Sequence, residues 1–249
     1  DRSPSRGLGD VYKRQILLRA CRKTMNNWLK TLSLLQMLRI DRGSKVYKDG
    51  LKRGIDLLLS LAGIIVLSPI LLILCLAIKI DSKGPVIFKQ KRVGKNKTHF
   101  YIYKFRTMKV DTPKETPTHL LSNPDFFITR VGKFLRKTSL DELPQLFNIL
   151  KGDMAVIGPR PALWNQYDLI EERDKYHAND IRPGLTGLAQ ISGRDELEIE
   201  YKARLDGQYT SNITPLMDLK CFFGTIISVF KSDGVVEGGT GSVKKEDAK

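Results

Sequence analysis

A single uncharged run of apolar residues constrains the fold of this chain more than any other feature. From Leu57 to Ile78 the sequence reads LLLSLAGIIVLSPILLILCLAI and contains no charged side chain. About 20 apolar residues are enough for a helix to cross the hydrocarbon core of a bilayer. No small-residue cleavage site follows the run, and it lies too far from the start of the chain for a secretory signal peptide. The sequence therefore predicts a membrane helix.

The centre and the flanks of this run argue against a simple membrane span. Pro69, which follows Ser68, lacks the N–H that an interior helical residue donates, although the serine hydroxyl can bind backbone groups that a proline frees. Basic residues, which favour the cytoplasmic side of a membrane, lie on both flanks: Lys45, Lys48, Lys52 and Arg53 before the run, and Lys79, Lys83, Lys89, Lys91 and Arg92 after it. We predict a re-entrant helix-break-helix that enters and leaves through one leaflet. A kinked spanning helix is the alternative.

Composition changes divide the chain into five segments. Residues 1–15 have no apolar periodicity and resemble non-native sequence; a basic disordered arm is the alternative. Residues 16–51 are basic and amphipathic, which suits either a helix on a membrane surface or one packed on the domain. The re-entrant helix is placed at 52–80, a soluble-like domain with the candidate chemistry at 81–231, and a disordered tail at 232–249.

The charge of the chain limits the kinds of partner. The formal net charge is +15 and the sequence pI is about 9.7. Such a charge favours nucleic acid, anionic lipid headgroups or phosphorylated substrates and does not choose among them. The three cysteines and three histidines show neither a disulfide framework nor metal-ligand spacing.

The soluble-like domain mixes strands and helices, so the predicted fold class is α+β. Residues 86–88 and 100–105, separated by a GKNK turn, predict a β-hairpin. Helices are predicted at 144–150, ended by Gly152, and at 164–177, 196–205 and 215–230.

The pair Asp141-Glu142 is the strongest candidate for chemistry. Because proline is tolerated only in the first turn of a helix, Pro144 places both carboxylates at a helix start, where amide groups and the helix dipole favour anions. We therefore expect Asp141 to stay ionised, as a carboxylate nucleophile must. Glu142 could hold a divalent cation that neutralises phosphate oxygens. On spacing alone, ordinary helix caps are the alternative.

Several arginines lie in stretches rich in glycine or proline. Arg136 precedes the acidic pair, Arg160 stands between two prolines, and RPGLTG and SGR carry Arg182 and Arg194. Guanidinium groups match phosphate geometry in a bidentate manner, although each stretch alone also suits a turn with a solvated arginine. Neither a Walker-type loop nor an Asp-x-Asp pair occurs in the sequence, which weakens the case for a conventional metal-dependent glycosyltransferase.

Five motifs, in order, resemble the bacterial sugar transferase family. They are KRGIDLLLSLAGIIVLSPILLI, PVIFKQKRVG, YKFRTM, LRKTSLDELPQLFNILKGDMAVIGPRP and IRPGLTGLAQISGR, and the resemblance covers about 52–230. Members of this family are polyprenyl-phosphate hexose-1-phosphate transferases, also called monotopic phosphoglycosyl transferases. The match looks closest to short members that lack additional N-terminal spanning helices.

The resemblance implies a reaction in two half-steps and a set of site residues. Asp141 would attack the β-phosphate of a nucleotide-sugar, nucleoside monophosphate would leave, and polyprenyl phosphate would then take the sugar-phosphate from the enzyme, with Glu142 associated with Mg²⁺. The resemblance also implies that Ser68 and Pro69 form the break of the re-entrant helix. The family's other site positions match Lys104, Arg136, Arg160, Arg194 and Asp206.

These observations predict an enzyme of the bacterial inner (cytoplasmic) membrane whose catalytic domain faces the cytoplasm. Its expected partners are a nucleotide-sugar, with UDP as the expected nucleotide, undecaprenyl phosphate and membrane lipids, but not nucleic acid. One alternative is a glycosyltransferase that moves the sugar without its phosphate. A second is a basic, membrane-tethered binder of polyanions, which explains the charge but not the acidic pair.

Overall fold

The computed structural model describes residues 46–112, 124–193 and 197–231. The predictions for residues 1–15, for most of the 16–51 segment and for the 232–249 tail lie outside the described residues, as does Arg194. The described residues form a helix-rich α+β fold with two small sheets.

The apolar run forms most of one long helix, α1 (Lys52–Asp81), which follows a short π-helical turn (Tyr47–Leu51). At 30 residues, α1 is about 45 Å long. Within the described ranges it is the one helix long and apolar enough to cross a membrane. Many of its apolar side chains are exposed, which suits lipid better than water: Leu58, Leu59, Leu61, Ile65, Val66, Ile70, Leu72, Ile73, Leu76 and Ile80.

Helix α1 continues through Pro69 without interruption. Pro69 has no N–H to donate to the carbonyl of Ile65, four residues earlier. The hydroxyl of Ser68 donates to that same carbonyl oxygen at 2.8 Å. The serine thus satisfies the backbone group that proline frees, as the sequence suggested, and the helical structure is not broken at this point. The re-entrant path itself stays a prediction.

The predicted β-hairpin is present and slightly longer than expected. Strands β1 (Ile87–Val93) and β2 (His99–Phe105) pair antiparallel, with Ile87 opposite Phe105 and Val93 opposite His99. Asn96 in the connecting turn has a φ of 53°, a left-handed conformation that asparagine tolerates better than most residues. The register places Lys104 opposite Phe88, near the end of β2.

A second sheet was not predicted from the sequence. Strands β3 (Ala155–Ile157) and β4 (Gly184–Thr186) pair in parallel, within stretches whose glycines and prolines suggested loops. A Cβ atom on Gly184 or Gly187 would overlap the backbone of Gly158. Glycine is therefore needed here because two backbones approach closely, not because the chain turns.

The other predicted helices are present with shifted ends, and additional short helices occur. Helix α4 (Gln145–Lys151) packs against α1, where Gly63 faces the side chain of Leu146. In chain order the helices are α2 (Pro124–Phe127), α3 (Arg130–Thr138), α4 (Gln145–Lys151), α5 (Tyr167–Asp174), α6 (Leu188–Ser192), α7 (Ile199–Ser211) and α8 (Pro215–Lys231).

A buried polar junction joins the start of α1 to α8. The carboxylate of Asp218 accepts hydrogen bonds from the hydroxyls of Tyr47 and Tyr209, both at 2.6 Å, and from Lys52 Nζ at 2.7 Å. Because every donor is largely buried, these bonds tie the base of the membrane helix to the soluble part of the molecule.

Candidate functional site

The candidate site begins in the connection between α3 and α4. Helix α3 ends at Ser139, whose φ of 56° lies in the left-handed region and costs about 1–2 kcal/mol for a residue with a Cβ atom. The chain then forms one 3₁₀ turn (Leu140–Glu142), and Pro144 caps α4. The sequence predicted that Asp141 and Glu142 lie at the start of the helix. In the structure they lie in the 3₁₀ turn that precedes α4.

The carboxylate of Glu142 is held by two cations. Arg160 donates from Nη2 to Oε1 at 2.7 Å and from Nη1 to Oε2 at 3.4 Å, and Lys104 Nζ donates to Oε1 at 2.8 Å. Burial alone raises the pKa of Glu142, but Arg160 and Lys104 together hold that pKa well below its usual range. Glu142 is therefore ionised across the physiological pH range.

Asp141 has a different environment, although its neighbours are the same. Its nearest ion-pair partner in the described part of the chain is Lys104, whose Nζ lies 3.9 Å from Oδ2. Burial raises the pKa of Asp141; Lys104 opposes this shift, and the charge of Glu142 adds to it. Helix amides are not among the causes of this shift, and burial opposes the ionisation that the sequence predicted for Asp141. That Asp141 stays ionised remains a prediction. Arg160 and Lys104 donate their hydrogen bonds to Glu142, and within the described residues neither of them donates one to Asp141.

The structure brings most of the other predicted residues to the same place. Lys104 arrives from β2, Arg160 from the segment after β3, and Arg136 from the last turn of α3, close enough to lower the pKa of Asp141. Three separate parts of the chain thus surround the acidic pair with positive charge. An anionic ligand would be attracted to this cluster.

Asp206 lies elsewhere, which corrects its predicted contact with substrate. Its side chain is 1% exposed, and its Oδ2 binds Arg173 Nε at 2.8 Å and Nη2 at 2.6 Å. Burial raises the pKa of Asp206, and Arg173 opposes the shift. A carboxylate enclosed in this way does not face an open site in this structure.

Asn148, which the sequence did not single out, helps to position the site by linking α4 to β2. It is completely buried on α4, accepts from the N–H of Tyr103 at 2.9 Å and donates to the carbonyl of Tyr101 at 2.8 Å. The side-chain amide thereby pairs with the free edge of β2 as a neighbouring strand would. It fixes the strand that carries Lys104 to the helix that follows Glu142. An asparagine inside an otherwise apolar helical segment, LPQLFNILK, was the available signal.

Replacing Asn148 by leucine should destabilise the fold by about 2–4 kcal/mol. The side chain keeps its size, but the N–H of Tyr103 and the carbonyl of Tyr101 lose their partner, at about 1–3 kcal/mol for each unsatisfied group. Denaturant unfolding of the detergent-solubilised protein measures the change. Lys151→Gln, on the same helix and 60% exposed, is the matched control. A stability within about 0.5 kcal/mol of wild type for Asn148→Leu would contradict this role.

Arg53 links the same helix to the membrane segment. Its guanidinium donates from Nη1 to the carbonyl of Ile149 at 2.9 Å and from Nη2 to that of Leu150 at 3.3 Å, at the C-terminal end of α4. Cations are favoured there by the helix dipole and by the unpaired carbonyls. The site at the start of α4 is therefore held at a defined position relative to α1.

The two adjacent carboxylates fit a Mg²⁺ ion that is bound together with substrate phosphates. Proteins hold Mg²⁺ through one or two carboxylates together with substrate phosphates, and Asp141 and Glu142 are adjacent carboxylates. The described ranges contain no group of three or more His, Cys, Asp or Glu side chains that could enclose an ion. The residues therefore fit an ion that arrives with a phosphorylated ligand and is bound by Glu142 or Asp141, and do not fit a cage made by the protein alone.

Comparison with known proteins finds a matching family model and similar proteins. A family model described as bacterial sugar transferase matches residues 47–232. The chain is 42% identical over 190 residues to the exopolysaccharide production protein PSS of Rhizobium leguminosarum bv. phaseoli, covering 72% of this chain and 94% of that protein. It is 36% identical over 215 residues to the undecaprenyl-phosphate galactose phosphotransferase of Salmonella typhimurium, covering 80% and 45%. It is 40% identical over 192 residues to the UDP-glucose:undecaprenyl-phosphate glucose-1-phosphate transferase of Klebsiella pneumoniae, covering 72% and 40%. The chain thus spans nearly all of the first relative and less than half of the other two.

Proposed function

The chain belongs to the bacterial sugar transferase family, and on that premise we propose that it transfers a sugar-1-phosphate from a nucleotide-sugar to polyprenyl phosphate and releases a nucleoside monophosphate. The proposed donor is a UDP-sugar and the proposed acceptor is undecaprenyl phosphate. The product would be the first lipid-linked intermediate of a cell-surface polysaccharide or glycoconjugate. The names of the Salmonella and Klebsiella relatives support this assignment.

The different environments of the two adjacent carboxylates carry the proposal. Glu142 is hydrogen-bonded to Arg160 and Lys104, whereas Asp141 lies beside the same cations, with Lys104 Nζ at 3.9 Å, and in the described ranges accepts no hydrogen bond from them. A carboxylate that attacks a phosphate needs positive charge nearby, since two anions otherwise repel each other. Arg160, Lys104 and Arg136 supply that charge, and Mg²⁺ bound with the diphosphate would neutralise more of it.

In the first half-step, an oxygen of ionised Asp141 forms a bond to the β-phosphorus of the donor. The bond between that phosphorus and the oxygen bridging to the α-phosphate breaks, and nucleoside monophosphate leaves with the electron pair. The sugar-phosphate is then an acyl phosphate on Asp141. Arg160 and Lys104 stabilise the charge that develops on the phosphoryl oxygens.

In the second half-step, an oxygen of polyprenyl phosphate attacks the same phosphorus. The bond from phosphorus to Asp141 breaks, the carboxylate is restored, and the product is a polyprenyl diphosphate sugar. The acceptor reaches the site through the membrane, so the packing of α4 on α1 supports this step. We accordingly propose an inner-membrane location with the site facing the cytoplasm and a re-entrant path for α1.

Cysteine accessibility tests the re-entrant path. Single cysteines in place of Lys48 and Lys83, both exposed and on either side of α1, should both react with a membrane-impermeant maleimide from the cytoplasmic side. Native Cys21, Cys75 and Cys221 are first replaced. A cysteine at exposed Lys95, in the hairpin turn, reports the side of the catalytic domain. Labelling of positions 48 and 83 from opposite sides would exclude the re-entrant path. Pro69→Leu should move some molecules to a spanning topology.

The identity of the nucleotide product tests the proposed reaction. Wild-type protein in membranes, supplied with Mg²⁺, undecaprenyl phosphate and a panel of UDP-sugars, should release UMP with at least one donor and form an equal amount of lipid-linked sugar. Release of UDP would instead assign a glycosyltransferase that moves the sugar without its phosphate. The panel also identifies the sugar, because specificity depends on a few pocket contacts.

A further inference from the structure

The segment that presents Arg160 is fixed along most of its length. Gly158 N–H donates to the carbonyl of Thr186 at 2.8 Å, and the carbonyl of Pro159 accepts from Gly184 N–H at 2.8 Å. The carbonyl of Ala162 accepts from the N–H of Val93 at 3.0 Å. These backbone bonds hold both ends of the segment 158–162. Pro159 and Pro161 have no N–H, so neither can donate a further backbone hydrogen bond.

The carbonyl of Arg160 itself is bound by a buried side chain. Arg173 on α5 is 3% exposed and donates from Nη1 to the carbonyl oxygen of Arg160 at 2.9 Å. The other edge of the same guanidinium binds a single oxygen of Asp206 on α7. A continuous chain of contacts therefore runs from α7 through α5 to the backbone of Arg160 and on to Glu142.

We propose that Arg173, oriented by Asp206, is a positioning residue that sets where the Arg160 guanidinium lies against Glu142 and the transferred phosphate. This inference rests on the proposed function for its catalytic consequence. The Arg160 side chain is 41% exposed and its guanidinium is bound to Glu142, so the position of its backbone sets which points that guanidinium can reach. Fixing that backbone pre-organises a charge that must meet a phosphoryl group at a defined point.

The geometry requires an arginine at position 173. A planar guanidinium can bind the carboxylate along one edge and the carbonyl with the remaining nitrogen. A lysine keeps the charge but is a point donor on a flexible chain and cannot hold both partners in a fixed relation. A displacement of about 1 Å at a phosphate-binding group costs on the order of 10²-fold in rate. We therefore expect Arg173→Lys to lower kcat by about 10–100-fold.

A double-mutant cycle with Arg160 separates positioning from general stability. In wild-type background Arg173→Lys should lower kcat by about 10–100-fold, whereas in an Arg160→Gln background it should lower the residual kcat by less than about 2-fold. The carbonyl of residue 160 is still present in that background, but there is no guanidinium to position. Equal losses in both backgrounds would overturn the proposal. Lys97→Gln, which removes an exposed ion pair to Asp174 on the same helix, is the control and should leave kcat unchanged.

A spectroscopic measurement tests the inference without using activity. The ¹H–¹⁵N signal of the Arg160 side chain, assigned by its loss in Arg160→Lys, should shift or broaden in Arg173→Lys and stay in place in Lys97→Gln. An unchanged signal would overturn the proposal. If wild type releases no nucleotide from any donor, the proposed function fails, and this signal alone decides the inference.

If Arg173→Lys does not fold, Asp206→Asn provides a second variant for both measurements. The second carboxylate oxygen of Asp206 is buried without a hydrogen bond in the described part of the chain, so an amide of the same size breaks no further contact. Loss of its charge leaves Arg173 less firmly held. Asp206→Asn should again lower kcat by a larger factor in the wild-type background than in the Arg160→Gln background, and the Arg160 signal should again shift or broaden. Equal losses of kcat in both backgrounds together with an unmoved signal would contradict the inference.

Discussion

Asp141→Asn is expected to abolish turnover and at the same time to make the folded protein more stable at neutral pH. The amide keeps the size of the side chain but cannot attack phosphorus, so the rate should fall on the order of 10³-fold or more, as when other enzymes lose their nucleophile. The gain in stability follows from the raised pKa of Asp141. Activity and stability should therefore change in opposite directions.

The direction of the stability change depends on pH. A carboxyl group whose pKa is higher in the folded than in the unfolded protein favours folding while it is protonated. That contribution is complete below the pKa of the unfolded chain and is lost as pH rises through the folded pKa. At a pH above the folded pKa, the ionised Asp141 therefore opposes folding, and the neutral amide does not. The difference in melting temperature between Asp141→Asn and wild type should shrink as the pH is lowered.

Mass spectrometry and a burst experiment check the role of Asp141. With UDP-sugar and Mg²⁺ but no lipid acceptor, wild type should release a burst of UMP and gain the mass of one sugar-phosphate on the peptide that contains Asp141. Asp141→Asn should show neither result, and the control Asp180→Asn, at an exposed position, should show both. A requirement for both substrates before any UMP is released would favour direct attack by the lipid phosphate.

Glu142→Gln should be harmful to activity and to stability, in contrast with Asp141→Asn. The substitution removes the charge that holds Arg160 and Lys104, which should lower kcat by about 10²–10³-fold, as for loss of one strong electrostatic contact in an active site. Breaking a fully buried ion pair costs about 3–5 kcal/mol. Because Arg160 is 41% exposed, we expect about 1–3 kcal/mol in denaturant unfolding.

The pH dependence of Glu142→Gln provides an independent check. Glu142 raises the pKa of Asp141 through its charge and competes for Lys104. Without it, the pKa of Asp141 should fall, so the acid limb of the residual kcat/KM should move to lower pH than in wild type. The contribution of Glu142 to folding stability depends on pH in the opposite direction from the contribution of Asp141. A lowered pKa favours folding above the unfolded pKa and ceases to do so as pH falls through the folded pKa. Exposed Glu171→Gln is the control, and an unmoved acid limb in Glu142→Gln would contradict the coupling of the pair.

The sequence predicted the features that depend on local pattern. An uncharged run of apolar residues of this length predicts a helix in or against a membrane, and α1 is a helix long and apolar enough for that role. The β-hairpin and the helix ended by Gly152 follow from turn residues and alternation that act over a few positions. The site residues Lys104, Arg136 and Arg160 came from ordered motifs and not from composition. The structure brings these cations to the acidic pair.

Other features could not be read from pattern, since they depend on which segments meet. Glycines that suggested loops around Gly158 and Gly184 instead allow two backbones to form a parallel pair. Asn148 looked like an ordinary helical residue until it was seen to bind the edge of β2. Asp206 matched a site position but is enclosed with Arg173.

Local patterns in the sequence predict a helix suited to a membrane, a mixed α+β domain and an adjacent pair of acidic residues among arginines. These properties are encoded in composition and short-range periodicity, which the chain carries before it folds. The folded arrangement is what determines which of the two carboxylates accepts the hydrogen bonds of the cations. Asp141 and Glu142 are neighbours in sequence, and their pKa values move in opposite directions because Arg160 and Lys104, from distant segments, both contact Glu142. Electrostatic interactions of this kind depend on distance and burial, and neither is defined until the chain has folded.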